Sequence, residues 1–265
     1  PFEAVENNVN GIAAAIRDFL GVNLDPASSP NRQTEARINL AVDDMAAIFV
    51  VLSSDCLPEN STLLLLLQVL KVLLRKQVNR KAMGKQGVQA VTNLLKSITC
   101  ECANVILNMC YDRENVDLFL EVDGVRALVP LINSKDEKMQ ASGLGALQSV
   151  CFERAGREVA RADVGVIRRV VRLLVSSSPK VRARALGAVH NLSTDPGLIG
   201  VIREEGGLAP LVGMLRHPEP QMCGGAAGTI QNLSREMQSR DQLAALGVVG
   251  PLSDLLVGRH LKSQV

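Results

Sequence analysis

The chain has 265 residues, with 29 basic and 27 acidic side chains for a net charge of +2, and it is 47% apolar but only 2% aromatic. That balance disfavours a base-stacking nucleic-acid binder and a β-sandwich, which leans on aromatic and β-branched residues. The core must be Leu, Val, Ile and Ala, a composition that suits closely packed helices.

In chain order, the stretch 1–76 is the least regular. NGIAAAIRDFL (10–20) has the apolar spacing of a helix, and GVNLDPASSPNRQ (21–33) reads as a polar, proline-rich surface loop. TLLLLLQVLKVLL (62–74) is the most hydrophobic run. It is too short for a membrane span and carries Gln68 and Lys71, so a buried helix is expected there.

From position 77 onward the chain repeats itself. The segments QGVQAVTNLL (86–95), DGVRALVPLI (123–132), GVIRRVVRLL (165–174), GGLAPLVGML (206–215) and GVVGPLSDLL (247–256) are written to one pattern, at a step that is nearly even after a shorter first one. Each has apolar residues at the three- and four-residue spacing of a half-buried helix. Gly165, Gly206 and Gly247 stand just before their helices, where glycine turns a chain sharply. The breaker-rich turns NSKDEK, VSSSPK and RHPEPQ follow, and a third helix then starts at Met139, Val181 or Met222. Its phrases are MQASGLGALQSVC (139–151), VRARALGAVHNLS (181–193) and MCGGAAGTIQNLS (222–234). The steps between them fall in the window of about 40–47 residues that marks stacked helical repeats.

The expectation is an all-α solenoid: irregular repeats over 1–76, then three-helix units near 77–112, 113–155, 156–196, 197–238 and an incomplete 239–265. Beginning at Pro1 without an initiator Met and ending inside a repeat, the chain is expected to be part of a larger protein. One step is short: Asn108 follows Leu95 a full helical turn sooner than Asn191 follows Leu174 or Asn232 follows Leu215. A loop missing around Ser97 and Ile98 is the favoured explanation, and a shortened third helix the alternative.

The Gly-x-[Ile/Leu/Val]…Leu-Leu column, the Pro/Ser turn and the terminal NLS resemble the armadillo repeat family, over 77–265 closely and over 1–76 loosely. HEAT repeats, with two helices per unit, lack this pairing of glycine and asparagine. The resemblance implies a right-handed solenoid whose third helices line a concave groove. It further implies that Asn108, Asn191 and Asn232 pair with the backbone of an extended partner peptide. A carboxamide, which both donates and accepts, is suited to that. The residues themselves leave equal room for the plainer role of tying down a helix end. Gly145, Gly187 and Gly228 share a helix face with the asparagine column. They fit either close packing between third helices, which is favoured, or a groove floor left bare for a partner. Importin-α-like arrays hold tryptophan at that place. This chain has none, so binding of nuclear-import signals is not expected.

Charge alternates in blocks: −6 over 1–59, +7 over 60–100, −4 over 101–156, +6 over 157–184 and −1 over 185–265. Arg184 lies two helical turns before Asn191, and Lys71 takes the place of an asparagine. Both are expected to bring positive charge into the groove, as β-catenin-like arrays do for acidic segments. The acidic N-terminal block is expected to fold back on the basic one, not to add to the groove.

Cys110 and Cys151 share a column with Ser193 and Ser234, which asks for a small buried residue and points to reduced thiols. Cys100 and Cys102 lack a second metal-binding pair, and no catalytic constellation or cofactor motif appears. The reading is therefore a non-enzymatic, cytoplasmic protein-interaction scaffold for an extended acidic segment, without metal or cofactor. The alternatives are a structural component of a cytoskeletal or ciliary assembly, a nuclear location, or a regulatory domain of a larger enzyme.

Overall fold

The computed structural model describes residues 16–21, 48–49, 51–53, 60–95 and 99–257. Gly21, the first residue of the expected 21–33 loop, is still helical, while the rest of that loop, the fold-back of the acidic N-terminal block and the short step at 96–98 lie outside the described residues. Within them all regular structure is helical. Helices come in threes from Gln77: Gln77–Lys81, Gly84–Leu94 and Thr99–Met109, then Arg113–Glu121, Gly124–Asn133 and Glu137–Val150. Arg154–Ala162, Val164–Arg172 and Pro179–Leu192 follow, then Pro196–Glu204, Leu208–Met214 and Pro220–Leu233, and finally Met237–Ala245 and Val249–Leu256. The helix Asn60–Leu73 precedes them and buries Leu63, Leu67, Leu70 and Leu73, the inward stripe of the run expected to be a core helix. Among the described residues no helix is long and apolar enough to cross a membrane.

By packing, the chain forms two compact units, Pro1–Ala127 and Leu128–Val265. This division follows contact density, whereas the one at residue 76 follows regularity of the repeat. In the first unit Asn60–Leu73 packs along Thr99–Met109; in the second, Glu137–Val150 packs on Pro179–Leu192, and that helix on Pro220–Leu233. The third helices thus stand side by side, with buried aliphatic residues such as Leu144, Leu147, Val181, Val189 and Leu233 between them and the other two layers.

Third helices begin two residues earlier than the apolar pattern shows. Asp136 caps Glu137–Val150 by accepting from Met139 N–H at 2.8 Å, and Pro179 and Pro220 occupy first-turn positions, where a missing N–H is harmless. Thr99–Met109 is 11 residues long against 14 for the other three.

The corners are closed by side chains reaching back six residues. Between middle and third helices, Gln140, Arg182 and Cys223 donate to the carbonyls of Ser134, Ser176 and His217. Between the third helix and the next unit, Asn79, Arg80, Asn115, Arg157 and Arg240 donate to Leu73, Leu74, Met109, Cys151 and Ser234. These carbonyls lie at helix ends or in the turns that follow them, where the regular helical ladder no longer supplies a donor from four residues on. The expected glycine turn holds at Gly206 and Gly247, with φ of 83° and 70°, but not at Gly165, where the Asp163 carboxylate caps the helix by accepting from Gly165 N–H at 3.0 Å. Asp123 makes the same turn in the first unit with φ 57°, a left-handed conformation costly for any side chain.

Candidate functional site

The asparagine column works between repeats. Asn108 Nδ2 donates to the Lys71 carbonyl at 2.8 Å, and Asn191 Nδ2 to the Gln148 carbonyl at 2.7 Å, each in the preceding third helix or its counterpart. Asn232 reaches the same level by relay: its Nδ2 donates to Ser193 Oγ at 3.1 Å, and that hydroxyl donates to the His190 carbonyl at 2.7 Å. Where the earlier unit carries Cys151 the amide goes straight to a carbonyl. Where it carries Ser193 the hydroxyl intervenes. The structural role is thus real, but it ties the neighbouring helix end, not the residue's own. Each carboxamide spends one of its donors in this way. Among the described residues the Asn191 oxygen accepts no hydrogen bond, and Asn191 lines an open cleft.

The glycine column receives the side chain that stands one place before the asparagine column of the previous unit. A Cβ at Gly187 would lie 2.5 Å from Gln148 Cδ, and one at Gly228 would lie 3.1 Å from His190 Cε1. At Gly187 and Gly228 the packing of neighbouring third helices takes up the space, and the close approach is made by a polar side chain and not by helix backbone. Sequence reasoning missed Gln148 and His190 as partners of these glycines. The signal was present in the long polar residue that precedes each of Ser149, Asn191 and Asn232.

His190 Nδ1 lies 3.3 Å from Thr229 Oγ1, whose own hydrogen goes to the Gly225 carbonyl at 2.7 Å. Thr229 must then accept, so Nδ1 carries the proton and Nε2 is left as an acceptor. Burial holds this imidazole below its ordinary pKa, which keeps it neutral at pH 7.

The two cations expected in the groove differ. Lys71 Nζ sits 3.3 Å from Glu101 Oε2, both about four-fifths covered, so its charge is met within its own unit. Arg184 has no acidic partner among the described residues; its Nη1 approaches the neutral Gln148 Oε1 at 3.5 Å. Most of the second basic block is spent on structure. Arg157 and Arg182 cap helix ends, Arg161 and Arg168 pair with Asp195 and Glu205 of the following unit at 3.6 and 2.8 Å, and Arg169 reaches the Ile132 carbonyl at 3.4 Å. The Arg161–Asp195 pairing recurs one unit later as Arg203–Glu236, bidentate at 2.8 and 3.3 Å, with Ser239 Oγ on the same carboxylate. That network pulls the Glu236 carboxyl below its usual range.

Between Pro179–Leu192 and the start of Pro220–Leu233 lies a cleft of about 410 Å³, with Gln148, His190 and Asn191 on its polar side and Leu186, Met222 and Gly224 among its other linings. The described cysteines Cys100, Cys102, Cys110, Cys151 and Cys223 are unpaired. Burial pushes Cys102 and Cys151 up to about 12, making them poor nucleophiles, which fits packing roles. No group of metal-binding side chains forms among the described residues.

A model of the armadillo/β-catenin-like repeat matches residues 195–235. Human armadillo repeat-containing protein 3 is 26% identical over 170 residues, which cover 62% of this chain and 19% of that protein. Human plakophilin-3 is 25% identical over 131 residues, 49% of this chain and 16% of that one. The chain thus spans about a fifth of the length of the curated relatives it matches. Among solved structures, a designed armadillo repeat protein in complex with the peptide (KR)4 superposes with a TM-score of 0.74 at 19% identity, over 83% of this chain and 95% of that one. An engineered protein superposes with a TM-score of 0.76 at 22% identity, over the whole of this chain and 68% of its own. These structural likenesses speak to the fold.

Proposed function

Because this chain belongs to the armadillo repeat family, its third helices are the surface to consider first, and we propose that it is a non-catalytic scaffold whose third-helix groove in Leu128–Val265 holds an extended, acidic segment of a partner protein. The observation that carries this is the pairing of a half-used carboxamide with an uncompensated cation: Asn191 keeps a free oxygen at the edge of an open cleft, and Arg184 on the same helix meets, among the described residues, only the amide oxygen of Gln148. A backbone amide of the partner would satisfy the first and a carboxylate the second. That the structural neighbour named above is in complex with a peptide supports peptide binding by this fold. Its peptide is basic, and the charge left over here, on Arg184, has that same sign, so the complement here is an acidic peptide. Unpaired thiols support a reducing compartment, the cytoplasm, as the place where the scaffold works.

Dye-labelled (ED)4 and (KR)4 peptides test the reading by fluorescence anisotropy. The acidic peptide should bind and the basic one should not. Binding should weaken as salt shortens the screening length to about 8 Å and below, and Arg184→Glu should weaken it about tenfold. Preference for (KR)4, or acidic binding indifferent to both salt and Arg184→Glu, refutes the reading.

A further inference from the structure

The glycines on Pro179–Leu192 and Pro220–Leu233 are of two kinds. At Gly187, Gly225 and Gly228 the neighbouring repeat uses the space: a Cβ would stand 2.5 Å from Gln148 Cδ, 3.0 Å from Leu186 Cδ2 and 3.1 Å from His190 Cε1. At Gly224 nothing among the described residues lies within 4 Å of where a Cβ would be, and its φ is not left-handed. Glycine inside a helix is less favourable than alanine. Neither packing nor backbone geometry therefore asks for it here. What Gly224 does is line the cleft of about 410 Å³ beside Asn191.

The lining has a chemical character of its own. Leu186 and Met222, 4% and 5% exposed, give it an apolar base, and the neutral His190 ring, the amides of Gln148, Asn191 and Gln221 and the carboxylate of Glu219 form its polar side. An acidic side chain entering the cleft would be repelled by the exposed Glu219, and a basic one reaching the buried Leu186 and Met222 would lose its hydration. A small one would leave most of the volume empty. A flat ring would cover Leu186, meet the Met222 thioether in the kind of sulfur contact aromatics favour, and lie on the helix that carries the Arg184 guanidinium.

We propose that the cleft seats an aromatic side chain of the acidic partner segment, with Gly224 kept bare to admit it. The ring would supply affinity by burial and the flanking carboxylates would supply charge complementarity at Arg184. The preferred ligand is thus an acidic stretch interrupted by one aromatic residue. This rests on the groove reading above and adds the identity of the anchoring residue.

Three nine-residue peptides, Glu throughout except for a central Trp, Ala or Lys, separate the two claims. Wild-type protein should bind the Trp peptide about tenfold or more tighter than the Ala peptide, as expected for burying an aromatic ring, and the Lys peptide weakest. In Gly224→Leu, where the new side chain fills the cleft without meeting protein atoms at its Cβ, the ratio of Trp to Ala affinity should fall to about one. Gly213→Leu, an equally open helix glycine outside the cleft, should leave that ratio at its wild-type value. Amide resonances of Gly187, Gly224 and Gly225 should move with the Trp peptide. Equal binding of Trp and Ala peptides, or a Trp preference that survives Gly224→Leu, overturns the aromatic seat while leaving the groove standing if Arg184→Glu still weakens both. If no peptide binds, or Arg184→Glu changes nothing, the groove reading itself fails and the seat with it.

Discussion

The two units use one staple on two different floors. In Pro1–Ala127, Asn108 ties Thr99–Met109 to the preceding helix just as Asn191 ties its own neighbour. One helical turn before Asn108, however, stands Asn104, where the second unit has Gly187 and Gly228, and the nearby cation Lys71 is neutralised by Glu101. In Leu128–Val265 the cleft beside Asn191 is lined in part by the small residues Ala183, Gly187, Gly224 and Gly225, and Arg184 is left without a carboxylate among the described residues. An asparagine ladder therefore does not by itself mark a binding surface. Charge left over after the internal pairs are made, and space left after the repeats have packed, are what distinguish the second unit.

The sharpest break should appear in stability at the corners. Asn115 is 2% exposed and its Nδ2 donates to the carbonyls of both Met109 and Arg80, at 3.1 and 2.8 Å. Asn115→Ala leaves both without that donor and should cost about 2–3 kcal/mol in denaturant unfolding. Arg240→Ala, which removes an exposed cap in the second unit, should cost less than about 1 kcal/mol. Equal losses would show that the two units close their corners with equal weight.

Next comes charge. Arg184→Glu should weaken an acidic peptide about tenfold with little change in melting temperature. Lys71→Glu should instead lower the melting temperature, because it sets a second carboxylate against Glu101, and should leave binding nearly unchanged. A loss of binding from Lys71→Glu equal to that from Arg184→Glu would move the site into the first unit or extend it there.

Acid should loosen the second unit before the first. His190 has a folded-state pKa depressed below 6.5, so the unfolded chain takes up a proton first, and stability falls as pH drops through about 6.5 toward the lower folded value. Glu236 is also depressed, from 4.5, so the stability from its pairing with Arg203 is present above that pH and is lost as pH falls through the folded value. Hydrogen exchange at descending pH should show amides of Pro179–Leu192 losing protection before those of Thr99–Met109, and His190→Gln should flatten the first phase. A uniform loss would remove the distinction.

The smallest effect lies at the turn both units share. Asp123 holds φ 57° where the second unit uses Gly206 and Gly247, so Asp123→Gly should stabilise the first unit by up to about 1 kcal/mol. A loss of stability would mean that the Asp123 side chain contributes more than the strain it bears.

Period and apolar spacing determined the fold in advance. The columns at 165, 206 and 247 and the phrases of the third helices are properties of single helices, and a repeating unit that cannot bury its apolar face alone has to stack. The asparagine, glycine and Ser/Cys columns were legible for the same reason: residues four apart share a helix face whatever lies opposite. What lies opposite was decided only by tertiary structure. Glu101 neutralises Lys71 from 30 residues away, Gln148 fills the place beside Gly187 from the previous unit, and Asp195 and Glu205 absorb Arg161 and Arg168 of a block that reads as free positive charge. A one-dimensional pattern records which face a side chain occupies. Whether its charge and its space are already taken depends on inter-helix distances of a few ångströms, and those are set by how the units stack.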